Sequence, residues 1–334
     1  MVKLIKIQIL CLGLFIGVNV YAQTPYMSQS FLNTNYFNPA AVGFGSSNHF
    51  QTFFRNQFAG VGDPYRTIGV GADFALFSNI ENEGFHNFGL GILGVSDQVL
   101  NGILQTNEIT LSLANRVFLN ENRSSFLSLG ISSTIISRNI DRAALTFSDQ
   151  YNSGRLFYNT TMEAVGNFPT TFSTNGGLLF SNNNKEAFMQ FGGSIFYINR
   201  SSNTQIYGNA NQSFQFIATL NVEHKLMEDY TYFMHASYQN RLESEYFYVG
   251  AALGLPIYSY EDLQNRFYVG CFYRTNDALV PYLGMMLSKY SVGVTYDVYQ
   301  NKMTMSNVHP QTLEFTLTTN FRNRQSKNLR SVLN

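Results

Sequence analysis

The side chains able to move a proton or hold a metal are few here, and their spacing assembles no reaction centre. The histidines are His49, His86, His224, His235 and His309. Imidazole is the common proton shuttle and metal ligand, but a metal site needs donors converging at short fixed spacings. No two of these histidines have such spacing on one strand face. His224 and His235 fall in neighbouring expected strands and could approach, and the expectation for them is a pair of wall or rim residues. No Gly-x-Ser-x-Gly elbow is present to expose a nucleophile, and no nucleophile stands beside a base along the chain. Gly69-Val70-Gly71 lacks the strand–turn–helix setting of a phosphate loop. Asp73, Glu108, Glu223 and Arg116 fall on polar faces and are expected to pair with one another in a wet interior. The reading is of a protein that is not an enzyme and uses no cofactor and no metal.

The address explains the poverty. Met1–Ala22 reads as a secretory signal peptide: Lys3 and Lys6, an apolar run from Ile7 to Val18, then Val20-Tyr21-Ala22 before Gln23. The alternative, an uncleaved anchor helix, is disfavoured because the run is shorter than the ~20 residues a span needs. Cys11 lacks the small residue expected before a lipidated cysteine. Cys271 is then the one cysteine of the mature chain, so no internal disulfide is expected. It lies between Val269 and Tyr273 on an apolar face and reads as a small hydrophobe.

Hydrophobic residues make up 45% of the chain, yet mean hydropathy is only −0.10 and no long apolar run follows Ala22. Helical spans are thereby disfavoured. Charged residues are 13%, against ~25% in soluble domains, while aromatics are 15%, with 30 Phe, 21 Tyr and no Trp. A surface facing lipid, ringed by aromatic girdles, has this composition. A net charge of +0 gives nucleic acid nothing to recognise.

Strict alternation supplies the elements. In the last strand Leu313, Phe315, Leu317 and Phe321 fall on one face, and Glu314, Thr316, Thr318 and Asn320 on the other. The same two-faced pattern recurs. Ile109, Leu111, Leu113 and Val117 oppose Thr110, Ser112, Ala114 and Arg116; Tyr290, Val292, Val294, Tyr296 and Val298 oppose Ser291, Gly293, Thr295 and Asp297. Counting alternation between turn signals predicts about fourteen strands. They are His49–Gln57, Arg66–Leu76, His86–Ser96, Leu104–Phe118, Ser124–Ser137, Thr170–Ser181 and Ala187–Ile198. Ser213–Lys225, Asp229–Asn240, Ser244–Leu255, Asn265–Arg274, Leu279–Leu287, Ser291–Tyr299 and Gln311–Phe321 follow. Lipid can bond no backbone group, so such strands must close on each other. The expected fold is all-β: a closed antiparallel outer-membrane barrel spanning residues 49–321, FadL-like in strand number.

Loop lengths agree with that arrangement. Arg138–Pro169 is the longest connection and Asn199–Gln212 the next, and both follow odd-numbered strands, the outward side if both barrel ends are periplasmic. Two segments lie outside the wall. Residues 23–48 carry Asn38-Pro39-Ala40-Ala41-Val42-Gly43, where Pro39 blocks regular pairing and Gly43 permits an unusual turn. Phe31, Tyr36, Phe37 and Phe44 are too apolar for a comfortable disordered lead-in, so an ordered plug is expected. Gly89 and Gly91 would let a packed segment approach the wall. Residues 322–334 form a basic tail with Arg322, Arg324, Lys327 and Arg330 and no acid. Two readings of it stand side by side: a tail that is solvated or touches lipid phosphates, or a contact for a periplasmic partner.

Three stretches together resemble a known family. They are Gln23-Thr-Pro-Tyr-Met-Ser-Gln-Ser-Phe-Leu-Asn33, the Asn38-Pro39-Ala40-Ala41-Val42-Gly43 run, and Phe54-Arg55-Asn56-Gln57-Phe58-Ala59-Gly60. Asp149-Gln150-Tyr151 in the long loop and Gly293-Val-Thr-Tyr296-Asp297 continue the match. The order resembles the PorP/SprF family of Bacteroidetes outer-membrane proteins, whose pattern is Asn-Pro-Ala, a nearby Gly, then Arg-x-Gln and an aromatic. Phe58 stands where the family usually has Trp, and a large apolar ring is kept. The resemblance implies a component of the type IX secretion system, often serving gliding motility, that supports export or surface retention of adhesin cargo. It also implies contact with periplasmic lipoproteins of that machine and with outer-membrane lipid. The alternative is a transporter resembling FadL, which also has an early Asn-Pro-Ala and about fourteen strands; an outer-membrane lipid enzyme ranks last.

Overall fold

The computed structural model describes residues 26–43, 48–60, 62–76, 86–146, 150, 168–184, 186–199, 202–205, 208–211, 213–226, 230–241, 244–257, 265–287, 289–300 and 310–321. The wall strands are β1 (Asn48–Ala59), β2 (Tyr65–Leu76), β3 (His86–Val99), β4 (Leu104–Phe118), β5 (Ser125–Ile140), β6 (Thr171–Asn183) and β7 (Ala187–Phe196). After β8 (Ser202–Gln205) and β9 (Gly208–Asn211) come β10 (Gln215–Lys225), β11 (Thr231–Arg241), β12 (Ser244–Pro256), β13 (Arg266–Arg274), β14 (Ala278–Leu287), β15 (Tyr290–Tyr299) and β16 (Gln311–Phe321). Fourteen of them form one closed barrel, and β8 and β9 pair separately as a two-stranded sheet. Each wall strand pairs antiparallel with its neighbours, and β16 closes on β1 from Asn48↔Phe321 to Ala59↔Gln311.

The strand count and most boundaries follow the alternation. Differences lie at the strand ends. β5 runs on to Ile140 and β3 to Val99, past the stretches where one face is apolar. The connection read as a long loop at Asn199–Gln212 carries the β8–β9 hairpin. Polar residues fill that hairpin, so no apolar periodicity announces it.

Alternation becomes a division of surfaces. Ile109, Leu111 and Leu113 are each 56% exposed on the outer face, while Ser112, Ala114 and Arg116 are buried on the inner. Cys271 lies on the outer face, as its neighbours implied. Exposed tyrosines stand near both ends of the wall, Tyr65 and Tyr296 at one and Tyr230 and Tyr290 at the other; a ring with a polar tip suits the level where hydrocarbon meets headgroup.

The inner face is covered from within. Residues 26–43 include a one-turn helix, α1 (Thr34–Phe37), and a 3-10 turn at Pro39–Ala41. Pro39 at the first position of that turn costs no hydrogen bond, and the Asn38 side chain accepts from Ala40 N–H at 2.9 Å. Met27, Phe31, Leu32, Phe37, Ala40 and Val42 are all buried. Phe31 sits among Phe233, Phe272 and Tyr282, with ring centroids 5.0–5.3 Å apart.

Glycines in the wall make this approach possible. A Cβ at Gly130 would lie 2.3 Å from Ala40 N, and one at Gly89 only 2.1 Å from Val42 O. At Gly177 it would meet Asn38 Oδ1 at 2.1 Å, and at Gly293 Gln29 Oε1 at 2.0 Å. The backbone of the segment therefore lies against β3 and β5, and its Asn38 and Gln29 side chains lie against β6 and β15. Gly43 has φ 67°, a left-handed conformation in which a side chain is strained.

Gly130→Val tests this seating. Overpacking of this kind costs about 1–3 kcal/mol, so the barrel should still migrate as a compact species on unheated gels. Residues 26–43 should become cleavable by protease. Full protection of the segment in that variant would contradict the close contact.

Candidate functional site

Four charges meet in the lumen where the barrel closes. Arg55 projects inward from β1, Glu314 from β16, Asp297 from β15 and Arg274 from the end of β13. Arg55 Nη1 donates to Glu314 Oε2 at 2.8 Å and Arg55 Nη2 to Asp297 Oδ2 at 3.0 Å. Arg274 Nη2 reaches the same Asp297 oxygen at 2.8 Å, and its Nε pairs with Asp277 in the following turn. Side-chain exposure is 2% or less for Arg55, Arg274, Asp297 and Glu314. Two cations and two carboxylates neutralise one another, which is the condition for burying any of them.

The N-terminal segment completes the cluster. Ser28 N–H and Gln29 N–H each donate to one oxygen of Glu314, at 2.7 and 2.8 Å. Ser28 Oγ donates to Asp297 Oδ1 at 2.9 Å and accepts from Arg55 Nη1 at 3.0 Å. The Arg274 guanidinium lies over the Tyr26 ring, 4.8 Å from its centroid. Gln29 Nε2 donates to Glu314 O at 3.1 Å, in the space left by Gly293. A buried ion pair of this kind adds little net stability against an apolar substitute. What it specifies is position: only one register of the segment satisfies both oxygens of Glu314.

A second grip holds the other end of the segment. Gly43 N–H donates to Asp73 Oδ1 at 2.7 Å, and Arg116 donates to Gly43 O. His49 Nδ1 stands 2.9 Å from the same Asp73 oxygen. Asp73 and Arg116, expected among the lumen charges that pair with one another, attract each other and also converge on the two ends of one glycine. Glu223 accepts from the Tyr268 hydroxyl at 2.7 Å, and Glu108 lines a small recess shared by the segment and the inner faces of β4, β5, β6 and β11. Between the grips, Asn38 Nδ2 donates to Leu178 O at 2.9 Å and Ser128 Oγ to Ala40 O at 2.8 Å.

Of the motif residues, Asn38, Pro39, Ala40, Gly43, Arg55, Gly293 and Asp297 all belong to these contacts. Gln57 Oε1 accepts from Arg55 Nε at 3.4 Å. Phe58 has φ 61° at a bulge in β1. Its N–H donates to Thr312 Oγ1 and its ring packs on Tyr299 and Tyr65. Tyr296 is 40% exposed on the outer face, away from the cluster. Gln150 is buried, whereas Asp149, Tyr151, Phe44 and the tail cations Arg322, Arg324, Lys327 and Arg330 lie outside the described residues.

One constellation was not visible along the chain. Ser30 Oγ lies 2.9 Å from His235 Nε2, and His235 Nδ1 lies 2.6 Å from Asn221 Oδ1. That is the order of a hydrolase relay. The imidazole, however, is enclosed by Phe31, Tyr248 and Phe272, with ring centroids 5.3–6.4 Å away, and Ser30 is 3% exposed. The arrangement ties segment to wall. His224 is three register positions from Asn221, the partner of His235, and stacks on Tyr232. Its ring nitrogen is spent on Lys225 O. Among the described residues no group of three His, Cys, Asp or Glu side chains stands close enough to hold a metal.

A family model described as type IX secretion system membrane protein PorP/SprF matches residues 19–319. The chain belongs to the PorP/SprF family. It is thereby an outer-membrane barrel component of that secretion system. No curated protein matches it. Among solved structures it is similar to the TodX deltaS2S3 mutant monoaromatic hydrocarbon channel, at 10% identity and TM-score 0.50, over 88% of this chain and 94% of that one. A Pseudomonas aeruginosa FadL homologue matches at 10% identity and TM-score 0.40, over 89% and 94%. CdiB from Acinetobacter baumannii matches at 8% identity and TM-score 0.44, over 82% of this chain, which spans 60% of that chain's length. The likeness at TM-score 0.50 is one of fold: a single closed barrel of this size.

Arg55→Ala in this PorP/SprF protein leaves Glu314 without its side-chain cation. The expected loss is about 3–5 kcal/mol, read as a lowered denaturant midpoint for refolding into detergent. Arg55→Lys should recover only part of it, since an ammonium cannot span both carboxylates with a rigid fork. An unchanged midpoint for Arg55→Ala would remove the cluster from the account of stability.

Proposed function

We propose that this protein is a closed scaffold in the outer membrane that positions adhesin cargo at the surface and meets periplasmic lipoproteins of the secretion machine, in some settings for gliding motility. Family membership supports the machine. The observation that carries the scaffold reading is residues 26–43, gripped at Ser28–Gln29 by Glu314 and Asp297 and at Gly43 by Asp73 and Arg116. A segment with that many specific bonds across the lumen acts as a plug. The barrel then supplies location and rigid surfaces, and its loops and tail supply contacts. The connection between β5 and β6 faces cargo in this reading, and the basic residues 322–334 face the periplasmic partner.

The competing reading is a FadL-like carrier of hydrophobic small molecules. A hydrocarbon path wants an apolar bore. This lumen presents Gln51, Ser112, Ser128, Ser132, Thr134, Asn175, Gln190 and Asn221, all buried. The scaffold is therefore favoured.

Planar-bilayer recording separates the two. The full chain should be silent, and a variant lacking residues 26–43 should conduct. A steady open pore in the full chain would refute the plug. Removal of Asn323–Asn334 should leave the barrel assembled but deplete periplasmic proteins from native co-purifications; undiminished recovery would take the tail out of the scheme.

A further inference from the structure

The N-terminal segment has a direction as well as a place. Tyr26 packs against Tyr246 and Tyr248 on β12, with ring centroids 5.7 and 5.9 Å away, and meets Arg274, the last residue of β13. Along β15, which runs from Tyr290 to Tyr299, the next residues step toward the other end. Ser28 bonds Asp297, Gln29 Nε2 donates to Thr295 Oγ1 at 3.4 Å, and the Gln29 side chain fills the space left by Gly293. On β16 the backbone of Ser28 meets Glu314, and Asn33 Nδ2 donates further on to Thr316 Oγ1 at 3.4 Å. Gly43 ends the descent beside Asp73, Phe74 and Ala75 of β2 and Gly89 of β3. There β2 finishes at Leu76 and β3 starts at His86. β1 begins at this same end, at Asn48 paired with Phe321.

The end that holds Tyr26 is the one with the long connections. β5 leaves it at Ile140 and β6 returns at Thr171; β7 leaves it at Phe196 and β10 returns at Gln215. At the Gly43 end the longest connections run only from Leu76 to His86 and from Pro256 to Arg266, and others are as short as Leu287 to Tyr290. Outer-membrane barrels carry their long loops outside and short turns in the periplasm. That rule makes the Tyr26 end the outer one.

We infer that the segment threads the barrel from the cell surface inward, and that the amino terminus of the mature chain is displayed outside. This rests on the plug reading for the place of residues 26–43 and adds their polarity. The two grips hold that polarity, Ser28 and Gln29 on Glu314 and Asp297 toward the outer end, Gly43 on Asp73 and Arg116 at the inner. Chain reach closes the alternative. With the expected cleavage after Ala22, only Gln23-Thr24-Pro25 precede Tyr26. An extended chain covers at most ~3.6 Å per residue, about 11 Å for this stub, whereas the apolar band of such a barrel is ~25 Å tall. The stub cannot carry the terminus back to the periplasm. The outer mouth therefore includes a free chain end beside the turns that follow β11 and β13, and a partner docking on that mouth meets it.

Surface labelling of the full-length protein in its own membrane tests the inference. Thr24→Cys, made in a Cys271→Ser background, should react with a membrane-impermeant maleimide on intact cells as fully as after permeabilisation, with Cys271→Ser alone as the blank. A cysteine appended after Asn334 in the same background should react only after permeabilisation, since β16 ends at the Gly43 end of the barrel. An epitope inserted between Thr24 and Pro25 gives a second route, read by antibody on intact cells. Labelling of intact cells by either route supports the polarity. Silence of both routes until the cells are permeabilised overturns it. Bilayer conductance is read separately. A conducting full chain with a surface-labelled terminus would remove the seal and keep the polarity; a silent chain with a hidden terminus would keep the seal and remove the polarity.

Discussion

Hydrocarbon offers a backbone amide nothing to bond, and the rest of this wall answers to that constraint. Fourteen strands satisfy their amides by pairing in sequence, and the last ladder, β1 against β16, leaves no edge. Closure in turn dictates the period of two. Outward positions must be apolar, inward ones need not be, and the chain spends the inward freedom on serine, threonine, amides and a few charges. The chemistry of the interior is therefore a consequence of the exterior.

That freedom creates its own difficulty, since buried polar groups need partners. The N-terminal segment supplies many of them. Backbone N–H groups of Ser28 and Gln29 occupy Glu314, the peptide groups of Gly43 occupy Asp73 and Arg116, and Phe37 O and Ala40 O receive Ser194 and Ser128. In exchange the wall yields space at Gly89, Gly130, Gly177 and Gly293. Segment and wall are complementary in hydrogen bonding and in shape. The ion cluster selects one position among those that apolar packing alone would tolerate.

The wall was legible because its signal is local: two faces per strand, repeated, with turn residues between. Gly43, Gly89 and Gly91 were legible for a related reason, as glycines stand out where a neighbour must come close. Arg55 and Asp297 were visible as parts of motifs but not as partners. Glu314 was just one polar residue of a two-faced strand, and Arg274 the end of another. Their meeting depends on the strand order around the closed ring, and Ser28 joins them only through the path of the segment. Ser30 and His235 are 205 positions apart and were invisible for that reason. Phe58 gave no warning of a left-handed backbone, since an aromatic seldom adopts one.

The arginine at the closing ladder ties the seam of the ring to its contents. Arg55 and Glu314 sit on the first and last strands, and Ser28 is bonded to both. The same handful of bonds therefore aligns those two strands with each other and seats the strip between them, so a slip of the seam by one residue would unseat the strip as well, because each inward side chain would then face the lipid.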